Sequence, residues 1–264
     1  MRLRQAILAA TLAATAGAAV PAAAQESSWQ FAITPRFQYS FLNFNASGQT
    51  SRFEPATIPF YGGTVEVAPP GLRNWSFLLT VMDGSDYGGD FTQIASGLRI
   101  GSYEIHRRDF EALIRYRIEG TGVSLFGGFR YIRQRVRTTL DAPGFIFFNT
   151  GTPLFDNKIN FYLAEIGGGY SHPLTAGGEH ALFGNLVVGL GKSRSTTNAI
   201  NDVPFNLFAV TFDANAGYNW QFANCCAFQA RYRAFVFPAG NRTFKDLAVQ
   251  HGPEVGLTFR FSIH

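Results

Sequence analysis

One stretch of this chain, residues 210 to 222, alternates without interruption between apolar and polar side chains over thirteen positions. Successive side chains of a β-strand point to opposite faces, so this stretch predicts one long strand with an apolar face and a polar face. Strands of soluble proteins average about 5 to 6 residues, whereas a tilted strand that crosses a bilayer needs about 9 to 11. The length therefore favours a membrane-spanning strand. Its apolar face consists of Val210, Phe212, Ala214, Ala216, Tyr218, Trp220 and Phe222.

Similar alternation recurs along the chain and predicts a single antiparallel transmembrane β-barrel. Ten strands are expected, an even number that leaves both chain ends on the same side. The segment 64–68 can belong to additional strands, so eight and twelve strands stay open as alternatives. The ten predicted strands are 29–41, 74–83, 90–101, 110–118, 123–131, 157–170, 180–191, 210–222, 228–236 and 254–263.

The predicted connections have two sizes, as expected for a barrel with tight periplasmic turns and longer external loops. The connection at 102–107 is short where the alternation of sizes requires a long one. The short connections are 84–88, 119–122, 171–179 and 223–225, and the long ones are 42–73, 137–155, 194–206 and 239–248.

Residues 1–24 have the pattern of a cleaved secretory signal peptide. Arg2 and Arg4 form its positive start, an apolar run follows from 6 to 20, and small residues precede a cleavage site before Gln25. The rest of the chain has no run of about 18 apolar residues, which a transmembrane helix needs. We therefore expect one barrel domain over residues 25–264, located in the cell outer membrane.

Charge and cysteine content exclude several classes of function. Without the signal peptide the chain carries 20 basic and 18 acidic residues, which is not the charge of a nucleic-acid-binding protein. The two cysteines, Cys225 and Cys226, are neighbours, so a vicinal disulfide, free thiols and a link to another chain all remain open. No further cysteine or spaced histidine pair accompanies them, and we predict neither a metal site nor a cofactor.

A soluble sandwich would show the same alternation with its apolar face inward, and the carboxyl end decides between the two folds. Gly256, Phe259 and Phe261 resemble the terminal β-signal of Gram-negative outer-membrane β-barrels. That family typically ends in phenylalanine, whereas this chain adds Ile263 and His264. The resemblance implies insertion by the barrel-assembly machinery through the C-terminal strand. It also implies contact with outer-membrane lipid and lipopolysaccharide.

A second resemblance concerns the function. The segments 110–117 (FEALIRYR) and 125–132 (LFGGFRYI) are similar to strands of Legionella-type pore-forming outer-membrane proteins and of small porin-like barrels. This similarity favours a narrow passive channel for small solutes. The alternative is a non-conducting surface barrel whose external loops act in adhesion, envelope structure or host contact.

If the apolar faces meet lipid, the polar faces form a lumen rich in arginine. Such a lumen favours anionic solutes if it is open. It is plugged if the arginines pair with carboxylates, and a barrel of roughly eight to ten strands is nearly filled by its side chains. The predicted lumen-lining residues are Arg36, Arg115, Arg117, Arg130, Asp213, Arg231, Arg233 and Arg260.

The sequence predicts no enzymatic activity. The arrangement closest to a catalytic group is His106 with Glu104 and Asp109, which we expect near an external hairpin. A histidine can act as a general base when a carboxylate orients it. However, no nucleophile motif accompanies these three residues, and a histidine in a surface loop is the simpler interpretation.

Overall fold

The computed structural model describes residues 28–45, 51–53, 55–93, 99–140, 153–197, 205–238 and 247–263. The predicted signal peptide lies outside the described residues. All regular elements within the described residues are β-strands. The described residues contain no helix that is long and apolar enough to span a bilayer. The strands are β1 (Trp29–Asn45), β2 (Ser51–Phe53), β3 (Ala56–Ala68), β4 (Trp75–Gln93), β5 (Arg99–Arg117), β6 (Val123–Leu140), β7 (Pro153–Pro173), β8 (His180–Thr197), β9 (Phe205–Ala223), β10 (Cys226–Pro238) and β11 (Leu247–Ile263).

Ten of these strands close into a barrel in which every neighbouring pair is antiparallel. Strands β3 to β10 each pair with the strand that follows, and β1 joins β11 on one side and β3 on the other. The first and last strands meet along most of their length, from Trp29 opposite Ile263 to Asn45 opposite Leu247. The short β2 adds to the end of β4. The predicted all-β fold and the predicted number of ten barrel strands are confirmed.

The connections sort to the two ends of the barrel. Residues 69–74, 118–122, 174–179 and 224–225 connect strands at one end, which we call the turn end. The described strand ends on either side of residues 46–50, 94–98, 141–152, 198–204 and 239–246 lie at the other end, which we call the loop end. The strands β1 and β11 begin and finish at the turn end, as an even strand number requires.

Three predicted boundaries on the β3 to β5 sheet are wrong. The predicted long connection 42–73 contains the whole of β3, which includes the segment 64–68. The predicted turn 84–88 lies inside β4, and the predicted connection 102–107 lies inside β5. The predicted strand 90–101 is divided between the end of β4 and the start of β5. The predicted number of strands is nevertheless right, because the missed strand β3 and the surplus predicted strand 90–101 compensate for each other.

Glycines that resemble turn residues caused the error in β4. A Cβ at Gly84 would lie 2.8 Å from the ring of Phe60, and a Cβ at Gly89 would lie 2.8 Å from the Tyr103 hydroxyl. Both aromatic rings lie inside the barrel and are buried. These glycines therefore make room for lumenal rings in the middle of a strand, although glycine in a sequence usually indicates a turn.

The apolar faces point away from the barrel axis, as predicted. In β9, Phe212 and Trp220 are 45% and 44% exposed, whereas Thr211 and Asp213 are 1% and 4% exposed. The same separation holds on the other barrel strands, where exposed leucine, valine and aromatic side chains alternate with buried or polar ones. A continuous apolar exterior is the inverse of a soluble sandwich, whose exterior is polar.

Aromatic side chains gather near both ends of the exterior. Near the turn end, the rings of Trp220 and Phe222 lie 5.6 Å apart, and near the loop end those of Tyr39 and Phe41 lie 5.4 Å apart. Aromatic side chains favour the interface between hydrocarbon and water. The two groups therefore mark the two borders of the lipid-facing surface.

Candidate functional site

The inward side chains form three successive layers along the barrel axis. An open chamber lies at the turn end, a layer of ion pairs crosses the middle, and an apolar plug lies in the loop-end half. Inward positions recur at every second residue of each strand. When the inward residues of neighbouring strands change from charged to apolar at the same height, the interior of the barrel changes from one layer to the next.

Arg130 is the centre of the ion-pair layer. Its side chain is 1% exposed and forms ion pairs with carboxylates from three other strands. Arg130 Nε lies 3.0 Å from Glu165 of β7, Arg130 Nη1 lies 2.7 Å from Asp213 of β9, and Arg130 Nη2 donates a hydrogen bond to Glu111 of β5. One guanidinium group therefore connects four strands across the lumen.

Two further ion-pair groups extend this layer around the wall. Arg233 donates to Asp213 through Nε at 3.0 Å and also through Nη2, so Asp213 bridges Arg233 and Arg130. Arg36 of β1 and Arg231 of β10 both bind Glu254 of β11, the latter at 2.6 Å. Breaking a buried pair by removing one partner typically costs about 3 to 5 kcal/mol, because the other charge is left uncompensated.

Arg107 joins the ion-pair layer to the plug. Its guanidinium donates two hydrogen bonds of 2.7 Å to Asp109 and one of 2.7 Å to Gln250. The same group lies over aromatic rings, with its Cζ 4.5 Å from the centre of Phe235 and 5.1 Å from that of Phe237. The Arg107 side chain is only 2% exposed. Hydrogen bonds on one side of its guanidinium and aromatic rings on the other compensate for the loss of contact with water.

The plug is an apolar core inside the barrel. Nine of the ten barrel strands contribute to it, and β8 contributes the buried Ser193 and Ser195 at the same level, opposite Phe161 and Ile159. Every apolar member is 3% exposed or less. The plug consists of Leu42, Ala56, Ile58, Phe60, Met82, Tyr103, Ile105, Ile132, Phe161, Leu163, Ala209, Phe235, Phe237 and Ala248.

A small void lies between the plug and the ion-pair layer. Its volume is about 10 Å³, and its lining includes Phe60, Met82, Arg107 and Phe235. A cavity needs roughly 10 to 15 Å³ to hold one water molecule. This void therefore has room for about one water molecule.

The chamber at the turn end is much larger, with a volume of about 710 Å³. Arg115 and Arg117 both bind Glu66 there, Arg117 at 3.0 Å. Arg260 donates to the amide oxygen of Gln221 at 3.0 Å. Positive charge exceeds negative charge along the lining, which includes Arg36, Arg73, Arg115, Arg117, Arg130, Arg231, Arg233 and Arg260 together with Glu66, Glu111, Glu119 and Asp213.

All eight residues that we predicted to line the lumen border this chamber. Five of them belong to the ion-pair layer at its floor, and Arg115, Arg117 and Arg260 stand on its wall. Their significance as a functional site stays a prediction. Sequence reasoning missed Arg107 and Glu165. For Arg107 a signal existed, because Tyr103, Ile105 and Arg107 continue the inward alternation of β5 through a segment that we had predicted to be a connection.

Sequence reasoning also missed the plug, although β10 carried a visible signal for it. Its inward residues pass from Arg231 and Arg233 to Phe235 and Phe237 towards the loop end. The change from charged to aromatic residues at a constant alternation indicates that a polar interior gives way to an apolar one.

Of the predicted grouping of His106 with Glu104 and Asp109, His106 and Glu104 share the outward face of β5, whereas Asp109 lies on the opposite face. Neighbouring positions in β5 point to opposite faces, so Asp109 points inward to Arg107 while His106 points outward. The carboxylate next to His106 is Asp83 of β4, which lies 3.2 Å from Nε2. Among the described residues, no group of three metal-ligating side chains could hold an ion. Cys225 and Cys226 are free thiols with their sulfurs 2.6 Å apart.

Comparisons with solved structures agree with the barrel. The outer membrane protease OmpT from Escherichia coli matches with a TM-score of 0.58 at 9% identity, over 89% of this chain and 97% of that chain. The translocator domain of the autotransporter NalP from Neisseria meningitidis matches with a TM-score of 0.51 at 13% identity, over 99% and 95%. No protein-family model matches the chain, and no curated protein does. The likeness shows the fold, which is that of a Gram-negative outer-membrane β-barrel, as predicted.

Proposed function

We propose that this outer-membrane β-barrel is a non-conducting surface protein that acts through its loop end in adhesion, envelope structure or host contact. The observation that carries the proposal is the closure of the lumen by two successive layers. Fourteen buried apolar side chains fill the loop-end half, and the Arg130 ion pairs cross the barrel beneath them. A passive channel needs a continuous wet path, and two buried layers across the lumen support the proposal that this barrel does not conduct.

The strand lengths support a role for the loop end. A tilted strand needs about 9 to 11 residues to cross a bilayer, and β4, β5 and β7 have 19, 19 and 21 residues. The surplus extends the barrel wall beyond the hydrocarbon region. The start of β1 and the finish of β11 both lie at the turn end, where the connections are short. Because outer-membrane barrels have short periplasmic turns and longer external loops, we assign the loop end to the cell surface. Export by a cleaved signal peptide and insertion through β11 belong to the same proposal.

A narrow channel that favours anions is the second candidate. The chamber of about 710 Å³ supports it, because its lining carries more arginines than carboxylates and it is wide enough to admit small solutes. In this case the plug would have to move for conduction. Protease activity, which the name of OmpT states for that protein, is not proposed for this chain, because 9% identity reaches no further than the fold.

Planar-bilayer recording of the purified full chain tests the proposal. We expect no discrete conductance steps from the wild-type protein, and regular steps would overturn the proposal in favour of the channel. In an opened variant, Phe60, Phe235 and Phe237 are replaced by alanine, and we expect intermittent current. The matched control replaces the outward-facing Phe77, Phe110 and Phe212 by alanine and should remain silent.

A further inference from the structure

The outward-facing cations of the barrel are confined to one sector of its wall. Among the strand residues whose side chains the structure describes, every outward lysine and arginine lies on β5, β6, β7 or β8, towards the loop end. The outward positions of β9, β10, β11, β1 and β3 in the same half are apolar, aromatic or uncharged. We call this sector the basic wall patch, which comprises Arg108, Arg133, Arg135, Arg137, Lys158, Lys192 and Arg194.

The register arranges six of the seven patch cations in rows beyond an aromatic row, and the seventh, Lys192, lies in that row opposite Tyr162. Phe110, Tyr131 and Tyr162 lie opposite one another on β5, β6 and β7, and the rings of the two tyrosines are 5.2 Å apart. The next outward positions towards the loop end are Arg108 and Arg133, followed by Asn160 and then Arg194 on β8. Aromatic rows lie at the border of the hydrocarbon, so the cations just beyond them lie at the depth of the lipid headgroups.

Like charges face one another directly in this patch. Arg108 lies opposite Arg133, and Arg135 lies opposite Lys158. Like charges at directly opposed positions of a sheet are destabilising, because their Cβ atoms are only about 4.5 to 5.5 Å apart. An external anion between the opposed cations would remove this repulsion.

The carboxylates nearby are too few to neutralise the patch. Asp83 binds Arg108 at 3.0 Å, Asp156 binds Arg135 at 2.7 Å, and Glu104 lies opposite Arg137 on the same outward face, so three carboxylates accompany seven cations. Among the described residues, Arg133 and Arg194 make no ion pair, and the Nε atom of Arg137 is buried without a hydrogen-bond partner. Cations at headgroup depth that lack protein partners require partners from the surroundings.

We propose that the basic wall patch binds the phosphate groups of a multiply phosphorylated lipid in the leaflet at the loop end. Adjacent strands are about 4.7 to 4.9 Å apart, so the patch from β5 to β8 is roughly 14 Å wide, which suits two phosphate groups on one headgroup better than one. Arginine binds phosphate through two parallel hydrogen bonds, and three arginines share the first row. The proposal rests on the membrane location given under the proposed function and is independent of whether the lumen is sealed.

Lipid titration of the purified full chain in phosphatidylcholine nanodiscs tests this inference. The probes are a bisphosphorylated glucosamine-disaccharide lipid, its monophosphorylated form and its phosphate-free form, and bound lipid is counted by native mass spectrometry. We expect affinity to fall in that order. Inorganic phosphate at millimolar concentration should not compete if the lipid is the ligand, and full competition would overturn the lipid as the source of phosphate.

A double variant, Arg133→Gln with Arg194→Gln, identifies the site. Each cation near an anionic lipid surface contributes about a five-fold change in affinity, so we expect roughly 25-fold weaker binding. The control is Arg73→Gln with Arg117→Gln, which removes the same charge at the turn end and should bind as the wild type does. Equal binding by the two double variants would overturn the site, and equal binding of all three lipids would overturn phosphate recognition.

The outcome is separable from that of the conductance experiment. Current through the wild-type barrel would end the sealed-lumen proposal without changing the lipid affinities. Conversely, loss of phosphate selectivity in a silent barrel would end only the lipid inference. A soluble acidic partner that bound the patch in lipid-free detergent and was displaced by none of the lipids would also overturn it.

Discussion

Phe161 of β7 and Phe237 of β10 meet edge to face inside the barrel, with 5.9 Å between their ring centres. Two strands, β8 and β9, separate them along the wall, so the contact crosses the lumen instead of following the sheet. Contacts of this kind turn the interior of a barrel into a packed core, and its stability should follow the rules for such cores.

Replacing Phe237 by alanine should therefore destabilise the barrel strongly. Deleting a buried phenylalanine side chain costs about 3 to 5 kcal/mol, because apolar contacts are lost and a cavity remains. Urea unfolding in detergent micelles, followed by tryptophan fluorescence, measures the change in the free energy of unfolding. Phe222→Ala is the control, since Phe222 is 51% exposed on the exterior and lies outside the plug. A larger loss from the control would contradict a packed interior.

Asp213→Asn should cost about 3 to 5 kcal/mol, because it removes the shared partner of Arg130 and Arg233 within a buried network. The comparison is Asp83→Asn, which breaks the pair with the exposed Arg108 and should cost less than about 1 kcal/mol. The shift of the unfolding midpoint on heat-modifiability gels distinguishes the two. Similar shifts would show that the ion-pair layer contributes no more than a surface pair.

Gly84→Ala should destabilise the barrel by about 1 to 3 kcal/mol through overpacking, because the new methyl group would lie 2.8 Å from the ring of Phe60. Gly127→Ala provides the control, since its methyl group would meet only one backbone oxygen at 4.0 Å. Adding Phe60→Leu to Gly84→Ala should recover part of the loss. If it recovers nothing, the ring is not the reason for the glycine.

Glu179 provides a prediction outside the membrane-spanning strands. The Thr175 hydroxyl donates to its carboxylate at 2.7 Å and lowers the pKa of Glu179 below its ordinary value. Because the pKa is lowered in the folded protein, the ionised Glu179 carboxylate stabilises the fold at pH values above its unfolded pKa. This stabilisation is lost as the pH falls through the folded pKa. In Thr175→Ala, we expect the Glu179 pKa to rise towards its ordinary value, measured by carboxyl chemical shifts in an NMR titration. An unchanged pKa would show that the hydroxyl is not its cause.

Alternation was sufficient to predict the class of fold and the exterior face of the strands, because both follow from whether a side chain points in or out. It could not predict which lumenal charges meet. Arg36 and Glu254 are 218 positions apart in the chain, and their contact depends on closure of the whole sheet. Alternation also failed to predict the course of β4 at Gly84 and Gly89. Glycines are typical of turns, but here they lie within a strand and leave room for the rings of Phe60 and Tyr103 on the neighbouring strands.

Glu254 binds Arg231 from the neighbouring strand and Arg36 from the far end of the chain. The second contact lies on the seam where β1 and β11 meet. Before the seam closes, Glu254 has Arg231 of β10 as its partner while Arg36 lacks this carboxylate, and joining β1 to β11 brings Arg36 to Glu254. Completion of the barrel thus carries its own electrostatic driving force, and a substitution that removes Arg36 should slow the final step of assembly more than the pairing of any earlier hairpin.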